Sequence, residues 1–215
     1  MKPLQKYISE SQNPYKSSVD PQIKSKLSAA IEHIDFKELQ ETNEQDPQRF
    51  EKSKQNEKII VDLLNAQYRG GRMKEWYACG TQEYYEKTTK KKDYDRLSTK
   101  EKSMFDTENG DVIIMDSDGK PLWFIDVKIS DKYLGAVSLG SLANFNENGI
   151  YVCINKSTKD YRIFSHRDLV EIVKADRSLL NDPTKKYKGY PVEWEGEQLT
   201  SEWYVKGNDI KNFER

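Results

Sequence analysis

The chain has only two cysteines, Cys79 and Cys153. Two are too few for a disulfide framework, and their separation rules out a CxxC metal or redox site, so both read as small buried apolar residues. Histidine is equally scarce, and neither His33 nor His166 has a partner at the spacing of a zinc site. Neither a phosphate-cradling P-loop nor a G-x-S-x-G nucleophile elbow occurs. No stretch reaches the roughly 18 apolar residues that a membrane span needs, and Met1-Lys2-Pro3-Leu4-Gln5-Lys6 lacks the apolar run of a signal peptide. The expectation is an intracellular, cytoplasmic protein with no membrane partner. Charge of one sign is also missing, since 35 Lys and Arg stand against 36 Asp and Glu for a net charge of -1. Contact with nucleic acid must therefore come from local basic patches, because the overall field offers no steering.

What is present is order-promoting surface: 4 Trp, 13 Tyr and 7 Phe with clustered Ile and Val exclude disorder throughout. A length of 215 residues suits one domain with an extension. A mean hydropathy of -0.93 assigns part of it to peripheral helix or loop. Residues 1–20 are polar with turn signals and read as an arm. Ile23, Leu27, Ala30, Ile31 and Ile34 then recur at helical spacing behind Pro21, which suits a first helical turn. A second helical pattern runs from Phe50 to Tyr68 and stops before Gly70-Gly71. The grammar then turns to short strands at Trp76 to Cys79, Asp111 to Asp116 and Leu122 to Ile129. Gly135 to Phe145 reads as a helix, Ile150 to Asn155 and Tyr161 to Phe164 as strands, and His166 to Ala175 as a helix. This alternation predicts an α/β fold, a mixed central sheet flanked by helices. The division expected is an N-terminal arm and helical extension over 1–46, a core over 47–180, and a C-terminal extension over 181–215 with an edge hairpin.

The segment from Asn109 to Lys128 carries the chemistry. Asp118-Gly119 is a two-residue hairpin signal, and a turn flanked by Ser117 and Lys120 places Asp111 directly opposite Asp126, with Cβ atoms about 5 Å apart. Lys128 shares that face by the period of a strand, as do Ile113, Met115, Leu122 and Phe124, with Val112, Ile114, Trp123, Ile125 and Val127 on the other. Strands apolar on both faces are buried on both faces, and carboxylates entering such a strand need compensation. A divalent cation held by oxygen ligands supplies it, with Lys128 adding positive charge. On the preceding helix, steps of 100° set Ile60, Val61, Leu64 and Tyr68 within about 60° of Glu57, while Asp62 falls about 140° away. Glu57 is thus an acid in an apolar stripe, able to complete a metal site from across a cleft, and Asp62 faces solvent.

Asp111, fourteen intervening residues, then Asp126-Val127-Lys128, preceded by a helix bearing Glu57 and followed by helix and strand, resembles the PD-(D/E)xK nuclease superfamily, the restriction-endonuclease-like fold. The similarity covers about residues 50–176. It implies a Mg²⁺-dependent DNA endonuclease, with Mn²⁺ able to substitute, in which Asp111 and Asp126 bind the metal and Glu57 supports the metal shell. Lys128 then orients the attacking water and stabilises phosphorane charge. Analogy with enzymes that cut both strands, type II restriction enzymes among them, implies a homodimer. The family's leading Pro is replaced here by Gly110. Asp or Glu, any residue, then Lys occurs four times in the chain, and only Asp126-Val127-Lys128 sits in a buried strand with an acid opposite.

Simpler readings stand beside these. Asp111, Asp126 and Lys128 can form a structural salt bridge at a strand end, and Glu57 can snorkel to water. Lys90, Lys91, Lys92 and Arg96, interleaved with Tyr94, form a candidate nucleic-acid-binding loop or a solvated one, as do Lys185, Lys186 and Lys188. His166-Arg167-Asp168-Leu169 mimics a kinase catalytic loop, but Val173 stands where the metal-binding Asn belongs. His166 instead starts a helix or contacts phosphate. A catalytically silent module binding DNA or protein, and a nuclease for branched or single-stranded DNA or for RNA, remain open alternatives.

Overall fold

A computed structural model describes residues 18–40, 47–66, 76–88, 96–183 and 189–210. Two helices open the fold, α1 (Pro21–Glu32) and α2 (Arg49–Ala66), followed by strand β1 (Trp76–Gly80). Asp20 caps α1 by accepting the Gln22 N–H, and Pro21 occupies its first turn, where no N–H is needed. Helices α3 (Thr81–Thr88) and α4 (Thr99–Asn109) then occupy the polar insertion that the strand pattern left unassigned. The signal for α4 is in the sequence: Ser98 and Glu101 form a reciprocal capping box.

Strands β2 (Val112–Asp116) and β3 (Pro121–Ser130) make the hairpin, and β4 (Ala136–Ser138) with α5 (Leu139–Asn144) make the crossover to β5 (Gly149–Asn155). Strand β6 (Asp160–Ser165) and α6 (His166–Ala175) follow, then a single 3₁₀ turn, β7 (Pro191–Trp194), β8 (Glu197–Thr200) and β9 (Tyr204–Lys206). The main sheet has the order β1-β2-β3-β5-β6, with β3 and β5 parallel and the other neighbours antiparallel. This is a mixed α/β fold, a central mixed sheet flanked by helices.

The period of two sorts each strand between two apolar layers. Val112, Ile114, Ile125, Ile150, Val152 and Ile154 join Ile23, Leu27, Ile31, Ile60 and Leu64 from α1 and α2. Ile113, Met115, Phe124, Tyr151 and Cys153 join Leu139 and Leu142 of α5, Leu169, Ile172 and Val173 of α6, and Val192, Trp194 and Val205 from the C-terminal strands. Helix α1, read from sequence as part of an extension, therefore shares an apolar layer with the sheet.

Three expectations are corrected. The turn is not the two-residue one: Asp116 N–H donates to the Lys120 carbonyl across a loop of Ser117, Asp118 and Gly119, and the Asp116 side chain accepts from Asp118 and Lys120 N–H. Met115 pairs with Pro121 but Ile114 with Trp123, so Leu122 is an extra residue on β3. That bulge restores the expected register beyond it, Val112 facing Ile125, and moves Leu122 to the α1–α2 side. Gly135 to Phe145 is not one helix, because Ala136 to Ser138 pair with Tyr204 to Lys206, a partner too distant in sequence for local pattern to show. The C-terminal hairpin β7–β8 forms a sheet of its own and does not extend an edge of the main one.

Strand β1 lies at the rim of the main sheet. There the Asn65 side chain on α2 accepts the Ala78 N–H and donates to the Ala78 carbonyl, both at 2.9 Å. Asn56, on the same helix, grips the backbone of Gln40 in the same two-pronged way at 2.8 Å. Among the described residues no helix is long and apolar enough to cross a membrane.

Candidate functional site

Helix α4 leads directly into the hairpin, and Gly110 makes the exit. Its φ of 72° is left-handed, and its N–H closes the helix on the Asp106 carbonyl at 2.8 Å. Proline, fixed near -65° and without an N–H, could do neither. Gly110 in place of the resembled family's proline is thus explained by the way α4 enters β2.

The turn at Gly110 brings Asp111 alongside β3. Its N–H donates to the Ile125 carbonyl at 2.8 Å, and its Oδ2 accepts the Val127 N–H at 2.7 Å. With Val112 facing Ile125, Asp111 lies one step before β2 and beside Asp126, as the hairpin register requires. Lys128 follows two residues on, its Nζ 2.7 Å from Asp126 Oδ1. The Asp126 side chain is 7% exposed and that of Lys128 is 32% exposed, so the carboxylate is interior and the lysine half-buried. The site lies midway along β3, where Asp126 pairs with Tyr151 and Lys128 with Cys153 of the parallel strand β5.

Its electrostatics follow from a count of charges. Two carboxylates face one ammonium, which leaves one negative charge in a desolvated place. Burial and then the Asp126 carboxylate push Asp111 up to about 8, so the surplus charge is neutralised by a proton at neutral pH. Burial works against the Lys128 ammonium, but Asp126 and Asp111 outweigh it and hold the group above its ordinary value. A cation can replace the proton. Among the described residues no set of three or more His, Cys, Asp or Glu side chains is arranged to hold a metal. Two carboxylates suffice for Mg²⁺, which keeps several waters and takes its other ligands from substrate phosphate. The donor set fits that ion better than one demanding a full protein cage.

Glu57 comes from α2. It stands over Gly80 at the end of β1, where any Cβ would collide with its carboxylate. Burial first, then Asp106, push it up to about 7, with Glu83 adding to the rise and Lys54 opposing it. Glu57 lines a cleft with Glu83 and Glu86, and the Gly80 it covers pairs with Val112, the residue after Asp111. The stripe itself is as expected, with Ile60 and Leu64 buried and Asp62 exposed. Arg96 is exposed, and Lys90, Lys91, Lys92, Lys185, Lys186 and Lys188 lie outside the described residues. Both cysteines are buried and outside any disulfide.

Sequence reading missed Ser141 and Tyr151 behind the carboxylates, and gave His166 a helix start or a phosphate contact in place of a link to them. Ser141 Oγ donates to Asp126 Oδ2 at 3.3 Å, Tyr151 Oη lies 3.3 Å from Ser141 Oγ, and His166 Nδ1 lies 3.2 Å from Tyr151 Oη. They come from α5, β5 and α6, and the only local hint is a tyrosine inside the otherwise apolar run of β5. No family model matches the chain, and neither a curated protein nor a solved structure does. The chemistry open to the site is that of a carboxylate pair and a lysine: holding a hard cation, binding a phosphate and orienting a water.

Proposed function

We propose that this chain is a Mg²⁺-dependent nuclease of the restriction-endonuclease-like fold that hydrolyses phosphodiester bonds in DNA. The observation that carries this reading is the convergence of Asp111, Asp126 and Lys128 on one face of the hairpin, two carboxylates against one ammonium. The order of elements supports it: a helix before the sheet, a hairpin bearing both acids, then a crossover helix and a parallel strand. Asp111 and Asp126 would hold Mg²⁺, or Mn²⁺ in its place; when bound, the ion polarises the scissile phosphate and lowers the pKa of a water. Lys128, anchored by Asp126 and half-buried, would present an ammonium to the phosphate, where developing negative charge is met, and orient the attacking water. Asp111, fixed by the Val127 N–H, keeps its second oxygen for the cation. A cut through both strands of a duplex calls for a second copy of the chain, a homodimer.

The 2.7 Å pair of Lys128 with Asp126 also favours a second reading, a silent nuclease-fold module that binds DNA or a protein partner. Incubation with supercoiled plasmid, linear duplex and single-stranded DNA, in Mg²⁺, Mn²⁺ or EDTA, separates the two. Metal-dependent cleavage, absent in Lys128→Ala, is expected. The absence of cleavage on every substrate, with no change of Tm on adding Mg²⁺, would establish the silent module.

A further inference from the structure

Behind the carboxylates runs a line of hydroxyls with no solvent role: Asp126 is 5% exposed, Ser141 6% and Tyr151 0%. A hydroxyl has one proton to give, and Ser141 gives its own to Asp126 Oδ2. Tyr151, 3.3 Å from Ser141 Oγ, must then be the donor in that contact. Burial, and then the nearby Asp126, push the phenol well above its ordinary value, so it keeps the proton it donates. With that proton committed, the Tyr151 oxygen accepts from His166 Nδ1 at 3.2 Å. Three donors align head to tail toward one carboxylate, an arrangement in which each bond polarises the next. Phe145 closes the passage, its ring 4.9 Å from that of Tyr151 and edge-on to that of His166 at 5.8 Å. At the far end His166 is half-buried at the start of α6. Burial lowers its imidazole below the ordinary value and Glu147 opposes that shift.

We propose that His166 is a positioning residue for Asp126, acting through the relay of Tyr151 and Ser141. The relay fixes Oδ2 while Lys128 fixes Oδ1, so the carboxylate that the nuclease reading assigns to the metal is held from both sides. It also commits His166 to carrying its proton on Nδ1. The proposal deepens the nuclease reading and rests on it for its consequence in cleavage, whereas the coupling between the two ends can be read without any substrate.

The test is ¹⁵N NMR of the imidazole rings. The chain has two histidines, and His33, the exposed residue that caps the end of α1, its Nδ1 2.7 Å from the Ala29 carbonyl, serves as the reference. Asp126→Asn, nearly the same shape, is expected to displace the His166 ring nitrogens by several ppm and leave those of His33 in place. In a Tyr151→Phe background the same substitution is expected to leave His166 unmoved. No displacement by Asp126→Asn, or an equal one in the Tyr151→Phe background, would overturn the relay. Ser141→Ala gives the same test from the other side should Tyr151→Phe fold poorly. In cleavage, His166→Gln and Tyr151→Phe should each lower kcat about tenfold with KM unmoved, the usual cost of losing a group that orients a metal ligand. Coupling in a protein that cuts no DNA would refute the nuclease reading alone, and cleavage without coupling would refute the relay alone.

Discussion

The two faces of the central sheet are built from the same strands and are chemically unlike. Toward α1 and α2 the sheet presents Val112, Ile114, Ile125, Ile150, Val152 and Ile154, all buried and all aliphatic. Toward α5 and α6 the same strands present Ile113, Met115 and Phe124, but also Asp126, Tyr151 and Cys153. One face is a packing surface throughout; the other gives up apolar burial to hold a charge and the hydroxyls that satisfy it. A single residue step along β3, from Ile125 to Asp126, moves from the first to the second. The site is therefore as rigid as the core, because it is the reverse side of the core.

The strongest way to break this comparison is to exchange what each face is asked to do. Asp126→Asn should reduce cleavage at least about a hundredfold while the fold persists, whereas Ile114→Ala should cost about 2–5 kcal/mol in urea denaturation and leave the folded protein's kcat within about twofold. Substantial loss of activity from Ile114→Ala at a temperature where it is folded would show that the faces are not independent.

Asp111→Asn is the next effect, and its signature is pH. A carboxyl near 4 when unfolded and about 8 when folded binds an extra proton only in the folded state between those values. Metal-free wild-type protein should thus lose stability as pH rises from about 4 to about 8, and the variant, whose amide still accepts the Val127 N–H, should not. The gap should reach the order of a few kcal/mol above pH 8. Parallel Tm curves for the two proteins would mean that the surplus charge is neutralised some other way.

Glu57→Gln probes the cleft beside Gly80. With its carboxyl held up to about 7, the stability of the wild-type protein should fall relative to the variant as pH rises toward 7, by less than for Asp111. Cleavage should fall less than about tenfold, less than when a metal ligand is lost. A loss equal to that of Asp126→Asn would join the two acidic clusters into one site. The smallest effect expected is that of Asn65→Ala, about 1–2 kcal/mol for two hydrogen bonds to Ala78.

How much of this could be read beforehand depends on the range of the interactions. Apart from Leu122 the hairpin faces follow from period two, and α6 is bounded correctly at both ends, since caps and stripes are local. The register at Asp111 came out as expected although the turn did not, because the bulge at Leu122 offsets the longer loop. β4 was hidden inside a helical pattern because its partner is β9. Ser141, Tyr151 and His166 belong to three elements that only the folded chain brings together, and no spacing in the sequence joins them to Asp126.

Asn65 has a consequence for assembly. An outermost strand with open amides is a template on which another strand can grow, in a neighbouring copy or in an aggregate. At Ala78 both backbone groups are already taken by one carboxamide held on α2. The sheet is stoppered there, at the centre of β1. Two copies of this chain meeting to span a duplex would have to join away from β1, leaving its rim as a terminus.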